Sequence, residues 1–447
     1  MAKKRRKESA VVSRPPAAGA VAAAILLVAV LVGTALVVDT DAGAAFDAPK
    51  RLLTLVGIAL AAMAAFAFAP ARRPEGPPWN APPPARRYAL YFAGAALVLA
   101  VVAAFASPRR AVSLDAMRSV AVFALLLPLG ASAAVARGRA WLAGAFLGAT
   151  AVNAFVSILE SRRLFHPFPL ETFGDRQETG AYAGNVGYLA ITLALAAVLG
   201  LGLALTTSRR GVRVAAAAAL VLFGAALVVN QNVTALTSTL AGMAVLLLVL
   251  HGRRAALPLA AAVLAAAVAV AAYPPLRQRA REMTGAARAG NWDAIVSFRG
   301  GAWAAGVEMA RDRPLLGFGP GTFGNEYVPH RLAAEIRARR RFVAPLLTSS
   351  YAEAHCDYLQ VFSDAGTPAG LLALGAVACL LAAVGRAARR SRTPETVILL
   401  AVLAAGATAA LTWFPLQRPV TAVPILLAAG RAWRLSALRT EADGGEA

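Results

Sequence analysis

The sequence predicts an all-α, polytopic membrane protein with about twelve transmembrane helices, and three observations predict it. Hydrophobic residues make up 59% of the 447 positions, charged residues only 15%, and the mean hydropathy is +0.62. One soluble core cannot absorb that composition. Apolar runs near the ~20 residues needed to cross about 30 Å of hydrocarbon recur along the chain. Finally, the Lys and Arg residues gather in every second connection, as they do on the cytoplasmic side of a bilayer.

In order, the runs lie near 17–38, 52–70, 88–106, 119–136, 140–159, 184–206, 214–230, 234–250, 255–272, 366–385, 396–412 and 419–433. The first follows Lys3, Lys4, Arg5, Arg6 and Lys7. At about 22 residues it exceeds the apolar region of a signal peptide, and its removal would spoil the charge parity, so it is expected to stay as a membrane helix. Positive connections then contain Arg72, Arg73, Arg86 and Arg87; Arg137 and Arg139; Arg209, Arg210 and Arg213; Arg253 and Arg254; Arg386, Arg389, Arg390 and Arg392. Both termini are therefore expected in the cytoplasm. The proline-rich stretch 72–87 is expected to be an extended connector.

This parity divides the chain into 1–272 with helices one to nine, a large outer segment 273–365, and 366–447 with helices ten to twelve and a cytoplasmic tail. The net charge of +22 needs no nucleic-acid partner, because topology and contact with anionic membrane lipids account for it. Two cysteines, Cys356 and Cys379, suggest neither a disulfide framework nor a thiolate metal site.

Polar chemistry concentrates in two outer segments. In 160–185, Arg176 sits just above the sixth run. In the large segment, Arg299 opens a helical pattern running through Trp303 and ending before Pro314. Gly317, Gly319 and Gly321 then predict a tight turn. It lacks the strand–turn–helix setting and the Lys-Ser/Thr ending of a phosphate loop. Arg331, Arg337, Arg339, Arg340 and Arg341 form a basic helical face of the solvated or headgroup-facing kind. His355 follows at the outer membrane boundary, between Glu353 and Asp357, carboxylates placed to orient it or raise its pKa.

A histidine and two separated arginines at one membrane depth are the parts for glycosyl transfer from a lipid diphosphate. The arginines would hold the leaving group with bidentate forks, and the imidazole would deprotonate an acceptor hydroxyl. Arginine would then take the place of a metal, and no cofactor is expected.

The order of these residues resembles the O-antigen ligase and polymerase superfamily. The resemblance rests on Arg299 with Trp303, Pro-Leu-Leu-Gly-x-Gly-x-Gly-x-Phe at 314–323, Ala-His-x-Asp-Tyr-Leu-Gln at 354–360, and Asp364 before Gly366. It implies a GT-C-like fold and a glycan donor carried on undecaprenyl diphosphate. It also implies transfer at the outer face of the bacterial inner membrane without nucleotide sugar or metal. By the same resemblance His355 is the base, Arg299 and Arg176 engage the diphosphate, and Gly319, Asp357, Tyr358 and Asp364 are expected to line the substrate site.

The acceptor implied for a ligase is a lipid A-core sugar; for a polymerase of the same superfamily it is another lipid-linked repeat, and for a pilin-modifying relative a protein hydroxyl. A flippase or transporter is the competing class. The chain departs from the family pattern at Cys356 and Asp364, where Asn and Glu are common. A Ser-Arg pair is also replaced around Asn232-Val233-Thr234, leaving Arg277, Arg279, Arg281 or Arg418 to supply outer charge.

Overall fold

A computed structural model of the protein describes residues 18–42, 44–67, 84–165, 180–342 and 351–437. Its elements are α1 (Ala18–Leu36), α2 (Asp47–Phe66), α3 (Pro84–Ala106), α4 (Arg110–Ala124), α5 (Leu126–Ala131), α6 (Ala133–Ser161), α7 (Val186–Thr206), α8 (Arg210–Asn230), α9 (Val233–His251), α10 (Ala256–Ala272), α11 (Pro274–Arg288), α12 (Trp292–Ile295), α13 (Gly300–Asp312), α14 (Phe323–Ala338), α15 (Asp357–Ser391), α16 (Pro394–Ala409) and α17 (Pro419–Leu435). The described residues contain no strand, as expected where lipid leaves every backbone group to be satisfied within its own segment.

Nine stretches among the described residues are long and apolar enough to cross a membrane, against the twelve expected. Two of the expected runs share the 40-residue stretch Val233–Ala272. It is interrupted by a 3₁₀ turn at Gly252–Ala255, where Gly252 has φ +57°. The last two expected runs are α16 and α17, of 16 and 17 residues. At 1.5 Å per residue each is roughly 24–26 Å long. The fourth helix starts at Arg110, well before the expected 119.

α7 lies at the centre. It is apolar around its whole circumference, and such a helix is stable only when surrounded; residues 189–198 are all buried. Packed with it are α6, α8, α9, α16 and α17, with α1 lying against α2 and α6, while α15 runs along α3. Outward faces stay apolar, with Val221 75% and Leu257 79% exposed, which suits a hydrocarbon surround. Local signals set the helix starts. Asn185 accepts from the Gly187 and Tyr188 amides, and Asn232 from the Ala235 amide at 3.0 Å, satisfying donors that a helix N-terminus leaves open.

The connections sort to two ends. At one, Arg418 pairs with Asp47 at 3.0 Å, Ser107 donates to the Phe318 carbonyl at 2.6 Å, and Arg109 pairs with Glu326 at 2.7 Å. At the other, Glu395 joins Arg431 at 2.7 Å and Arg139 at 3.1 Å, and Arg86 stacks on Trp433 at 4.0 Å.

The helices α11 to α14 cover the first end. Ala302, Ala305, Met309, Phe318, Phe323, Tyr327 and Ala354 give this layer a small core of its own. The basic face expected on α14 is tied down in part: Arg337 meets Glu308 at 2.9 Å, Arg340 meets Asp293 at 3.3 Å, and Arg331 meets Glu335 at 3.5 Å. Burial works to raise the Glu308 carboxyl, but Arg337 and Arg311 outweigh it and hold the pKa below the ordinary value.

Candidate active site

His355 has φ +53°, a left-handed conformation uncommon outside glycine and found where the surroundings enforce it. Three contacts enforce it. The Ala354 amide donates to Gln360 Oε1 at 2.7 Å, and Gln360 Nε2 is fixed by both oxygens of Asp364 at 3.1 Å. Trp303 Nε1 donates to the His355 carbonyl at 3.3 Å. Cys356 caps α15 through Sγ, which accepts from the Leu359 amide at 3.5 Å; sulfur is a weak acceptor in the place where Asn is common.

The imidazole is packed edge-on among Tyr351, Trp413 and Phe414, with ring centres 4.9, 5.2 and 4.9 Å away. Its Nδ1 lies 3.1 Å from the Glu353 carbonyl. A carbonyl only accepts, so Nδ1 carries the proton and Nε2 keeps its lone pair. From the sequence the flanking carboxylates are expected to orient this ring or to raise its pKa. The opposite holds: it falls to about 4, because burial penalises the imidazolium and Arg299 and Arg418 repel it, more than offsetting the bond to Glu353. The carboxylates are engaged elsewhere. Glu353 pairs with Arg418, and Asp357 accepts from the Leu416 amide at 2.9 Å and from Gln417 at 3.4 Å.

Arg299 is the N-cap of α13. Its Nη1 donates to the Thr412 carbonyl at 2.8 Å and Thr234 Oγ1 at 3.3 Å, and its guanidinium lies 4.8 Å over the Trp413 ring. One indole therefore touches both Arg299 and His355. Beside it is a cavity of about 200 Å³ lined by Arg279, Arg299, Ser297, Thr234, Asn232 and Trp303. Arg279 donates to Ser297 Oγ at 3.3 Å. A second guanidinium thus enters at the place where the sequence lacks the Ser-Arg pair. Arg418 stands on the other side, 5.4 Å over Phe414 and 5.0 Å over Tyr188. Burial would lower its pKa, but Glu353, Tyr188 and Asp47 win and raise it.

The other expected site residues fall into two groups. Tyr358 donates to the Ala407 carbonyl at 3.0 Å and so ties α15 to α16. Gly319 and Asp364 meet at a separate joint. The Gly319 amide donates to the Asp364 carbonyl at 2.8 Å, and the Gly321 amide to Asp364 Oδ2 at 3.3 Å. Gly319 has φ +102°, and a β-carbon there would sit 2.2 Å from Ser113 Oγ, so a side chain has neither the dihedral nor the space. These amides are spent inside the protein, and the turn docks the outer layer on the α3–α4 corner. Asp364 reaches His355 only through Gln360. Arg176 lies outside the described residues.

Sequence reasoning did not find Trp413, Phe414 or Tyr188. Trp413 packs where Gly187 has no side chain; a β-carbon at Gly187 would lie 2.2 Å from the indole. Trp-Phe-Pro at 413–415 was visible as an aromatic string, but nothing in its spacing points to His355.

The fold and this arrangement define a multi-pass membrane protein with a histidine–arginine–aromatic site at one end of its helices. Residues 218–374, from α8 into α15, match the family model described as O-antigen ligase. The matched segment, about a third of the chain, is the one that carries Arg279, Arg299 and His355. No curated protein matches the chain.

Proposed function

We propose that the protein transfers a glycan from undecaprenyl diphosphate to an acceptor hydroxyl at the periplasmic face of the bacterial inner membrane. The acceptor assigned is a lipid A-core sugar, which makes it an O-antigen ligase of GT-C-like architecture with both termini in the cytoplasm. The observation that carries this reading is a neutral imidazole, proton fixed on Nδ1, that packs on the same Trp413 ring as Arg299, which with Arg279 lines a cavity.

The step follows from those groups. The acceptor oxygen attacks the anomeric carbon of the donor glycan as the bond from that carbon to the diphosphate oxygen breaks. His355 Nε2 takes the hydroxyl proton, and the electron pair of the broken bond leaves with the diphosphate. Arg299 and Arg279, joined by Arg176, neutralise that developing charge in place of a metal, and a guanidinium fork suits phosphate oxygens because it is planar and always charged. Asp357, Tyr358, Asp364 and Gly319 serve by holding the frame around the base.

The test is the surface glycan of a deletion strain complemented with wild type or His355→Ala, resolved into free lipid A-core, single repeats and long chains. A ligase leaves lipid A-core bare while lipid-linked polymer accumulates. Attachment of single repeats only would make the protein a polymerase of the same superfamily. An unchanged ladder with a stably inserted variant would remove His355 as the base.

A further inference from the structure

α11 separates two arginine-lined cavities, and the site above uses only one of them. Successive helical residues turn by about 100°, so Arg279 points away from Arg277 and Arg281. Arg279 faces the cavity of Arg299. Arg277, Arg281 and Arg288 face a second cavity, of about 440 Å³, against Ala267, Val270 and Ala271 of α10.

Two properties narrow what this second cavity takes. Its floor comes from a helix with no buried residue, whose apolar surface must lie against lipid chains. Among the described residues its wall carries three guanidinium groups and no carboxylate, and none of the three forms an ion pair. The ligand is therefore amphipathic and anionic. From Arg277 to Arg288 the row extends roughly 16 Å at 1.5 Å per residue. One phosphate cannot span it, whereas a headgroup carrying two or more phosphates can.

We propose that the α10–α11 cleft holds the acceptor lipid by phosphate groups on its head, with its acyl chains against α10. This rests on the glycan-transfer reading, in which the donor diphosphate occupies the Arg279–Arg299 side. The two lipids then lie on opposite faces of one helix, about 10–12 Å wide, so each presents its sugar toward His355 without sharing a phosphate site. Arg277, Arg281 and Arg288 are positioning residues that select an acceptor by its phosphates.

The experiment uses the full-length protein in nanodiscs, as wild type and as the triple variant Arg277→Gln, Arg281→Gln, Arg288→Gln. All three side chains are exposed, and an unchanged melting curve confirms the fold of the variant. Transfer rates are measured against acceptor at saturating donor, and against donor at saturating acceptor, with intact and enzymatically dephosphorylated acceptor lipid. The variant is expected to raise the acceptor KM about tenfold or more, as the loss of charge-assisted phosphate contacts implies. Its kcat and donor KM stay the same, and dephosphorylated acceptor shows the raised KM with wild type and no further change with the variant. An unaltered acceptor KM, or a raised donor KM, overturns the proposal.

A second arm needs no turnover: native mass spectrometry of the same proteins with a bis-phosphorylated glycolipid or with phosphatidylglycerol. Preferential retention of the glycolipid by wild type, lost in the variant, supports the cleft even where no transfer is detected, so failure of the transfer reading stays distinguishable. Equal retention of phosphatidylglycerol would make the row a general lipid anchor and overturn the proposal.

Discussion

At its Pro394 end, α16 carries Glu395 held between Arg431 and Arg139; beyond its Ala409 end come Thr412, Trp413 and Phe414, where Arg299 and Arg418 flank an uncharged imidazole. Both ends place charge at a membrane boundary, yet they treat it differently. At the Glu395 end a carboxylate is shared by two guanidinium groups, and the cluster knits α6, α16 and α17 together. At the His355 end the protein holds two cations close to a histidine and keeps that histidine neutral by burying it among aromatic rings. Charge pairing of the first kind serves packing. Holding a base neutral beside cations is costly to fold and is the sort of arrangement found where chemistry is done.

Breaking the second end should have the largest effect. His355→Ala is expected to lower glycan transfer roughly a hundred- to ten-thousand-fold, the usual contribution of a general base, while the melting temperature in detergent moves little; near-normal transfer would end the assignment. Arg299→Lys should follow at roughly 10–100-fold, because the ammonium retains charge but cannot reproduce the fork that holds Thr412 and Thr234 and, in the proposed reaction, a phosphate oxygen. Full activity in that variant would make Arg299 a boundary residue like Arg139.

Smaller effects sharpen the contrast. Gln360→Leu removes the amide that links Asp364 to the Ala354 backbone and should cost roughly 1–3 kcal/mol of stability. Its transfer defect should be absent when combined with His355→Ala, since it acts only through the histidine. Glu395→Ala, at the other end, should cost a similar 1–3 kcal/mol by leaving buried Arg431 without its carboxylate, seen as a lower melting temperature with unchanged transfer per folded molecule.

The smallest effect is the response to mild acid. The base is active when neutral, and its pKa is depressed from 6.5 to about 4, so kcat/KM, which reports the free enzyme, should hold steady through pH 6.5 and fall only on approaching about 4. A fall centred near 6.5 would show that the imidazole is not buried in the working enzyme. The same depression gives stability its sign: the contribution is complete above pH 6.5 and is lost as pH falls from there toward about 4.

Much of the fold was legible because hydrocarbon imposes one rule on every span, about 20 apolar residues with all backbone bonds internal. That rule does not resolve a 40-residue apolar run interrupted at Gly252, nor say whether helices of 16 and 17 residues cross fully, and there the twelve expected runs part from the nine long apolar stretches among the described residues. In the site, Arg299, His355 and Gln360 stood out by residue type and by their order in recognisable strings. Gly319 and Asp364 stood out equally, but a backbone turn docked against Ser107 and a string lining a substrate look the same in one dimension.

By itself, then, the sequence determined a multi-pass helical protein with its polar residues gathered in two segments, the larger of them late, because composition and run length decide what a bilayer accepts. Only the tertiary structure decided that Arg279 supplies the second guanidinium, that Trp413 and Phe414 wall the histidine, and that His355 is neutral rather than charged. The reason is desolvation: whether a titratable group is charged depends on what surrounds it in space, and here those neighbours come from α11, from the Glu353–Cys356 turn and from the link between α16 and α17, which no local pattern brings together.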